Sequence, residues 1–170
     1  MEEQELVDVY DENKNRTGKI INRNDKDNLR GNEYTITVHC WIINSKKEIL
    51  ITQRSMHKSR GGKWEDTHGA LRRGETSREG MKRELKEELG IDVQDDDLKF
   101  IKTLKRIKLF RDCYILLKDI PLNEFKFTDG EVMNCKYVSV DEFKEIIKRG
   151  ESTFKDFSQT IFSDIDINKF

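Results

Sequence analysis

The segment "MKRELKEELG", residues 81 to 90, places Glu84, Glu87 and Glu88 within one helical turn, close to where a helix must stop. Thr76 can cap that helix, Glu79 stands three residues later as its capping-box partner, and Gly90 offers the stop, so a helix is expected over about residues 77 to 89. Advancing about 100° per residue, Met81, Leu85 and Leu89 form an apolar stripe. Glu84 and Glu88 fall beside it and Glu87 further round, while Glu79, Lys82, Arg83 and Lys86 take the opposite, solvated side. Like charges at this spacing repel, and carboxylates near a helix C-terminus also face the negative end of the macrodipole. Carboxylates at the edge of a core require protonation, a basic partner or a cation. Three oxygen donors with little soft ligand nearby suit Mg²⁺ or Mn²⁺; the plain alternative is an ordinary solvated helix face.

The chain around this helix is expected to fold as one domain over residues 1–170, since two independent domains at this length would each be small. Its 32 basic and 33 acidic residues leave a net charge of −1, which argues against a field that draws the protein to polymeric nucleic acid or an anionic membrane. No apolar stretch approaches the roughly 18 residues of a membrane span, and "MEEQEL" lacks the pattern of a signal peptide, so the cytoplasm is the expected compartment. Cys40, Cys113 and Cys135 are odd in number, widely spaced and set in apolar strand-like runs, which reads as buried reduced thiols.

Strand signals come in an irregular order. "ELVDVYDENKNRTGKII" reads as a hairpin in an N-terminal extension of residues 1–30. "YTITVHCWII" suits a long buried strand, and "NSKKE" turns it into "ILITQR". Residues 55 to 69 have loop composition, followed by a short strand and turn in "GALRRGE". "LKFIKTLKRIKLF", "RDCYILLKDI" and "NCKYVSV" read as strands, and Asp141 can cap a helix in "EFKEIIKRG". Phe154, Phe157, Ile161 and Phe162 are spaced as on an amphipathic helix. The pattern predicts an α/β (α+β) chain layered around a mixed sheet. Neither glycine-rich phosphate loop motif occurs, so a Rossmann or Walker site is not supported.

Read from Gly69, "GALRRGETSREGMKRELKEELGI" matches G-x5-E-x7-R-E-U-x-E-E-x-G-U, with U apolar, at Gly69, Glu75, Arg83, Glu84, Leu85, Glu87, Glu88, Gly90 and Ile91. This box, residues 69–91, resembles that of the Nudix hydrolase family. The resemblance implies an α/β/α sandwich over most of the chain and divalent metal, Mg²⁺ or Mn²⁺, used to cleave a diphosphate linkage. Carried over by position, Glu84, Glu87 and Glu88 would be metal ligands, with the Gly69 carbonyl as a further one. Glu75 and Arg83 would form a structural pair, and Gly90 completes the box. Glu84 or Glu87 would serve as general base, or else Glu131 in "FTDGEVMNC", for which a surface hairpin acid is the plain alternative.

Outside the box, "DVYDENKNRTG", "VHCWIINSKKEILITQRSMHKSRGGKW" and "TDGEVMNCKYVSVDEF" resemble the branch related to isopentenyl diphosphate isomerase. Those isomerases carry a cysteine after the tryptophan; here "WEDTHGAL" has none between Trp64 and Gly74. Arg54 and Lys58 are candidates for a distal phosphate, and His68 for substrate contact beside Gly69, whereas His39 suits the core and His57 the surface. The expected partner is a small diphosphate, a nucleotide by preference, and a homodimer is compatible with the resemblance. The rivals are an isomerase of that branch and a non-catalytic ligand-binding or regulatory module.

Overall fold

The computed structural model describes residues 5–170; the first four residues of the expected N-terminal extension lie outside them. Strands β1 (Leu6–Tyr10) and β2 (Arg16–Asn22) pair antiparallel as the expected hairpin. The main sheet contains β3 (Thr35–Ile43), β4 (Ile49–Arg54), β5 (Trp64–Glu65), β6 (Thr67–Ala70), β7 (Leu98–Arg106), β8 (Leu109–Leu117) and β9 (Val132–Val138). Only β3 and β8 run parallel among its pairs, which makes the sheet mixed.

Period-two alternation along β3 explains the layering. Ile36, Val38, Cys40 and Ile42 pack with Met81, Leu85 and Leu89 of α1 (Ser77–Leu89). Trp41 and Ile43 pack on the opposite face with Phe143, Ile146 and Ile147 of α2 (Val140–Lys148). A helix on each side of one sheet is the expected α/β/α sandwich. Among the described residues no helix is long and apolar enough to cross a membrane.

Three local expectations differ. Residues 55 to 69, expected as loop, contain β5 and most of β6. Ser139, not Asp141, caps α2, its hydroxyl accepting from the Glu142 amide. Phe154, Phe157, Ile161 and Phe162 do not form one amphipathic helix; the segment is irregular, with single 3₁₀ turns at Phe157–Gln159 and Ile161–Ser163. Phe154, Ile161 and Phe162 are nevertheless buried against Trp41 and Phe143, so the hydrophobic spacing reports burial without a helix.

One feature of the sheet positions the site. The edge of β3 away from β8 is shared: β6 pairs along Thr37–Cys40, while β4 touches only through Ile43 and Ile49. The strands β3 and β4 therefore splay apart like a fork. Inside it, β5 lies on β4 and β6 lies on β3, so the chain changes arms at Asp66.

Candidate active site

The C-terminal half of α1 faces this fork. Thr76 and Glu79 form a reciprocal capping box, and Gly90, at φ 71°, ends the helix in the left-handed conformation that glycine adopts without strain. Glu84 and Glu88 are buried, and Glu87 is half-buried. Only glycine fits at position 69 with Glu84 as it stands, because a Cβ there would lie 1.9 Å from the Glu84 carboxyl.

Arg83 does not lie on a solvated face as the wheel suggests. Its guanidinium folds over the box loop and donates to Glu75 through Nε (2.7 Å) and Nη2 (3.0 Å). Nη1 reaches Glu84 (2.7 Å) and Glu87 (3.0 Å), and Nη2 also reaches the Ala70 carbonyl (2.9 Å). Arg72 adds its amide to Glu75 (2.8 Å) and its guanidinium to both Glu87 oxygens (3.1 and 3.2 Å). The same Arg72 donates to Glu5, which also receives Arg23. Amides of Arg73 and Gly74 donate to the Leu6 carbonyl and the Asp8 carboxylate, docking the N-terminal hairpin on the box.

Charge is therefore supplied unevenly. Glu75 is held below the usual carboxylate range: burial works to raise it, and the Arg83 guanidinium and Arg72 amide more than offset that. Glu84 is raised, because burial outweighs its Arg83 contact. Glu88 is driven furthest up, by burial and by the like charges of Glu84, Glu65 and Asp129, with partial relief from His68. Burying an ionised carboxylate without such relief is costly.

The fork contributes a second group. Glu65 accepts from Arg54 through one oxygen (2.7 Å), while its Oε2 is buried without a hydrogen-bond partner, 4.0 Å from His68 Nε2. Asp66 Oδ2 faces His39 Nδ1 at 2.9 Å, and His39 Nε2 lies 3.1 Å from the Thr37 hydroxyl. Burial keeps His39 below its ordinary value and hence neutral, so Nδ1–H donates to Asp66 and Nε2 accepts from Thr37. His68 Nδ1 sits 3.1 Å from both the Asp66 carbonyl and Oδ1; the hydrogen bond goes to the carbonyl, and Oδ1 is left without one. Burial would lower His68, but Glu65, Asp66 and Glu88 reverse the effect and push it up to about 10.

The other residues singled out in the sequence fall around the same fork. Lys58 donates to Glu131 (2.6 Å), and the Ser55 amide donates to the Glu131 carbonyl (2.8 Å), tying the loop before β5 to the start of β9. Arg54 is turned toward Glu65 and the Ser59 carbonyl. His57 is exposed and His39 is buried, as expected. All three cysteines are free and buried, and burial raises their thiols, Cys113 to about 12 and Cys135 to about 11. Sequence reasoning missed Glu65, Asp66, Arg72, Arg23 and Glu5. The carboxylate pair immediately before "THG" was the one visible signal for the first two.

A forked mixed sheet with an acidic loop–helix element against it defines the class: an α/β/α sandwich domain of the sort anticipated from the box. The NUDIX domain model matches residues 33–158, and the chain belongs to this family. It is 31% identical over 148 residues to an uncharacterised Nudix hydrolase of Listeria monocytogenes, covering 85% of each chain. A relative of the expected branch, isopentenyl-diphosphate Delta-isomerase 1 of Photorhabdus laumondii, is 28% identical over 177 residues, covering 98% of this chain and 97% of the relative. The fold resembles the crystal structure of DR0079 from Deinococcus radiodurans, with TM-score 0.72, 24% identity and 87% and 91% of the two chains covered. It also resembles a bifunctional NMN adenylyltransferase/ADP ribose pyrophosphatase from Francisella tularensis complexed with AMP and manganese, with TM-score 0.59, 21% identity and 76% and 40% covered. The family membership and these relatives make the chain a Nudix hydrolase.

Proposed function

We propose that this hydrolase cleaves the diphosphate linkage of a nucleoside diphosphate derivative or a similar small organic diphosphate, with Mg²⁺ or Mn²⁺ held at the box. The observation that carries the reading is the pair Glu84 and Glu88, two buried carboxylates that Arg83 and His68 do not fully neutralise. Their hard oxygen chemistry fits such an ion. Glu84, Glu87, Glu88 and the Gly69 carbonyl would hold it, and when bound it polarises diphosphate oxygens and acidifies a water.

The protein's own groups do the rest. The Arg83–Glu75 fork–fork pair sets the loop that presents the Gly69 carbonyl. Glu87, half-buried and beside Arg72, would take a proton from the attacking water, with Glu84 and Glu131 as the other candidate bases. Lys58 and Arg54 now pair with Glu131 and Glu65, and exchange of those partners for phosphate oxygens would position the distal end of the substrate.

The test is a panel of nucleoside di- and triphosphates, nucleotide sugars and dinucleoside polyphosphates, assayed for phosphate release with and without Mg²⁺ or Mn²⁺. Metal-dependent release is expected, with Glu87→Gln lowering it by roughly 10² or more, as for other electrostatic and acid–base groups. No cleavage of any member would favour a binding module. Rearrangement of isopentenyl diphosphate without phosphate release would favour an isomerase, against which the buried, raised thiols speak.

A further inference from the structure

Beside the fork, one face of the sheet carries polar side chains where apolar ones would pack. Ala70 on β6, Thr37 on β3 and Arg111 on β8 lie side by side in register, and His68, His39 and Cys113 form the next row. Because Ile36 and Val38 face α1, both rows belong to the opposite face, the one from which Trp41 and Ile43 meet α2. The polar strip runs between two apolar clusters. Ala70 packs with Val7, Val9 and Leu29, and Leu104, the β7 partner of Arg111, packs with the cluster that holds Trp41 and Phe162.

Arg111 is the unsatisfied member of the strip. Its Nε and Nη1 are buried without a hydrogen-bond partner, although the residue as a whole is partly exposed. Neighbouring acids are committed elsewhere: Asp112, next along β8 and so on the other face, to Lys14 and Thr103, and Asp164 to Lys102. Thr35 Oγ1, on the same face as Thr37 and one pleat away, is also buried without a partner. Donors shut off from water and left unpaired cost stability, and such groups in a native structure call for a partner that arrives with a ligand. A guanidinium has five donors and no acceptor, so that partner is an anion. Arg106 aligns with Leu109 as Leu104 aligns with Arg111, which brings a second arginine to the same face of β7. Two guanidinium groups suit a phosphate dianion better than a single carboxylate.

Two strand spacings, about 10 Å, separate Arg111 from Ala70, the residue after Gly69. A sugar or a base fits between an anion at Arg111 and a diphosphate at the box. We propose that Arg111, with the Thr35 hydroxyl beside it, receives a second phosphate on the organic part of the substrate, so that the enzyme selects diphosphates whose non-reacting end is itself phosphorylated. The inference rests on the diphosphate-cleaving reading of the box, and it gives that reading a substrate class.

The experiment compares matched ligands on the full chain. Calorimetric titration with AMP, adenosine 2′,5′-bisphosphate and adenosine 3′,5′-bisphosphate should show one bisphosphate binding about tenfold or more tightly than AMP, the gain expected of charge-assisted bonds. Arg111→Met should erase that preference and Arg111→Lys should keep part of it. Metal-free Arg111→Met should also melt about 2–4 °C above wild type, since the unpaired donors are gone, whereas an arginine that only packs the sheet gives the opposite sign. Equal binding of all three nucleotides to wild type, a preference that survives Arg111→Met, or a lower melting temperature in that variant would overturn the proposal. The wild-type comparison decides the matter even where no variant folds. Cleavage of NADH and NADPH, which differ by one phosphate, separates the two readings on the same preparation. Metal-dependent cleavage of both at equal kcat/KM removes only the Arg111 assignment, whereas no cleavage of any diphosphate tested, with the bisphosphate preference intact, removes only the hydrolase reading.

Discussion

Glu88→Gln should make the metal-free protein more stable and the metal-loaded protein relatively less so. In the structure Glu88 is 5% exposed, and among the described residues only His68 offsets its burial and the charges of Glu84, Glu65 and Asp129. Each unit by which a carboxyl is raised corresponds to about 1.4 kcal/mol against the ionised folded state. A buried glutamine still loses hydration, so we expect a net gain of about 1–2 kcal/mol in EDTA at pH 8, or roughly 2–8 °C in a domain of this size. The sign follows from linkage. A carboxyl raised above its ordinary 4.5 destabilises progressively as pH rises through the interval between its unfolded and folded values, so the advantage of glutamine should shrink toward zero near pH 4.5. With metal at a hundredfold its Kd, wild type gains about 2.7 kcal/mol per ion and the order of stabilities should reverse. Thermal melts in EDTA and in Mn²⁺ measure both halves. A variant less stable than wild type in EDTA at pH 8 would refute the claim that the burial of Glu88 is only partly compensated.

Gly69→Ala should displace the Glu84 carboxyl that lies 1.9 Å from the added Cβ; phosphate release should fall sharply while Tm moves by only a few degrees, and a variant with wild-type turnover would contradict the placement. Glu75→Gln should cost about 1.5–3 kcal/mol at pH 7 by removing charge-assisted bonds to Arg83 and the Arg72 amide. Because the folded Glu75 acid is depressed, that stability is present above its ordinary 4.5 and lost as pH falls through the folded value, so denaturation curves of the two proteins should converge in acid. Thr76→Ala removes one half of the capping box and should destabilise by about 1 kcal/mol in urea, with metal-saturated turnover largely retained.

The elements that could be read locally were those whose whole logic lies within a few residues. The helix Ser77–Leu89, with its Thr76–Glu79 cap, its Gly90 stop and its apolar stripe, is encoded by spacing alone, and the box pattern adds the family. The two-sided burial of Thr35–Ile43 was likewise visible in a run apolar on both faces. The same local logic misplaced Arg83, because a wheel locates Cα positions and ignores that a long guanidinium can fold back to Glu75. It also made a helix of the Phe154 to Phe162 spacing, where packing on Trp41 by irregular chain satisfies the same pattern.

Along the chain, the sequence determined by itself the acidic helix, its caps, the longer strands and the oxygen-rich character of the box, since each depends on neighbours within one or two turns. Tertiary structure alone decided that β3 and β4 splay, that the chain changes arms at Asp66, and that Glu65 and His68 meet in the gap. That meeting depends on pairing between residues tens of positions apart, His39 with His68 and Thr52 with Glu65. Strand pairing over such separations is set by burial of the whole sheet, and no local period announces it.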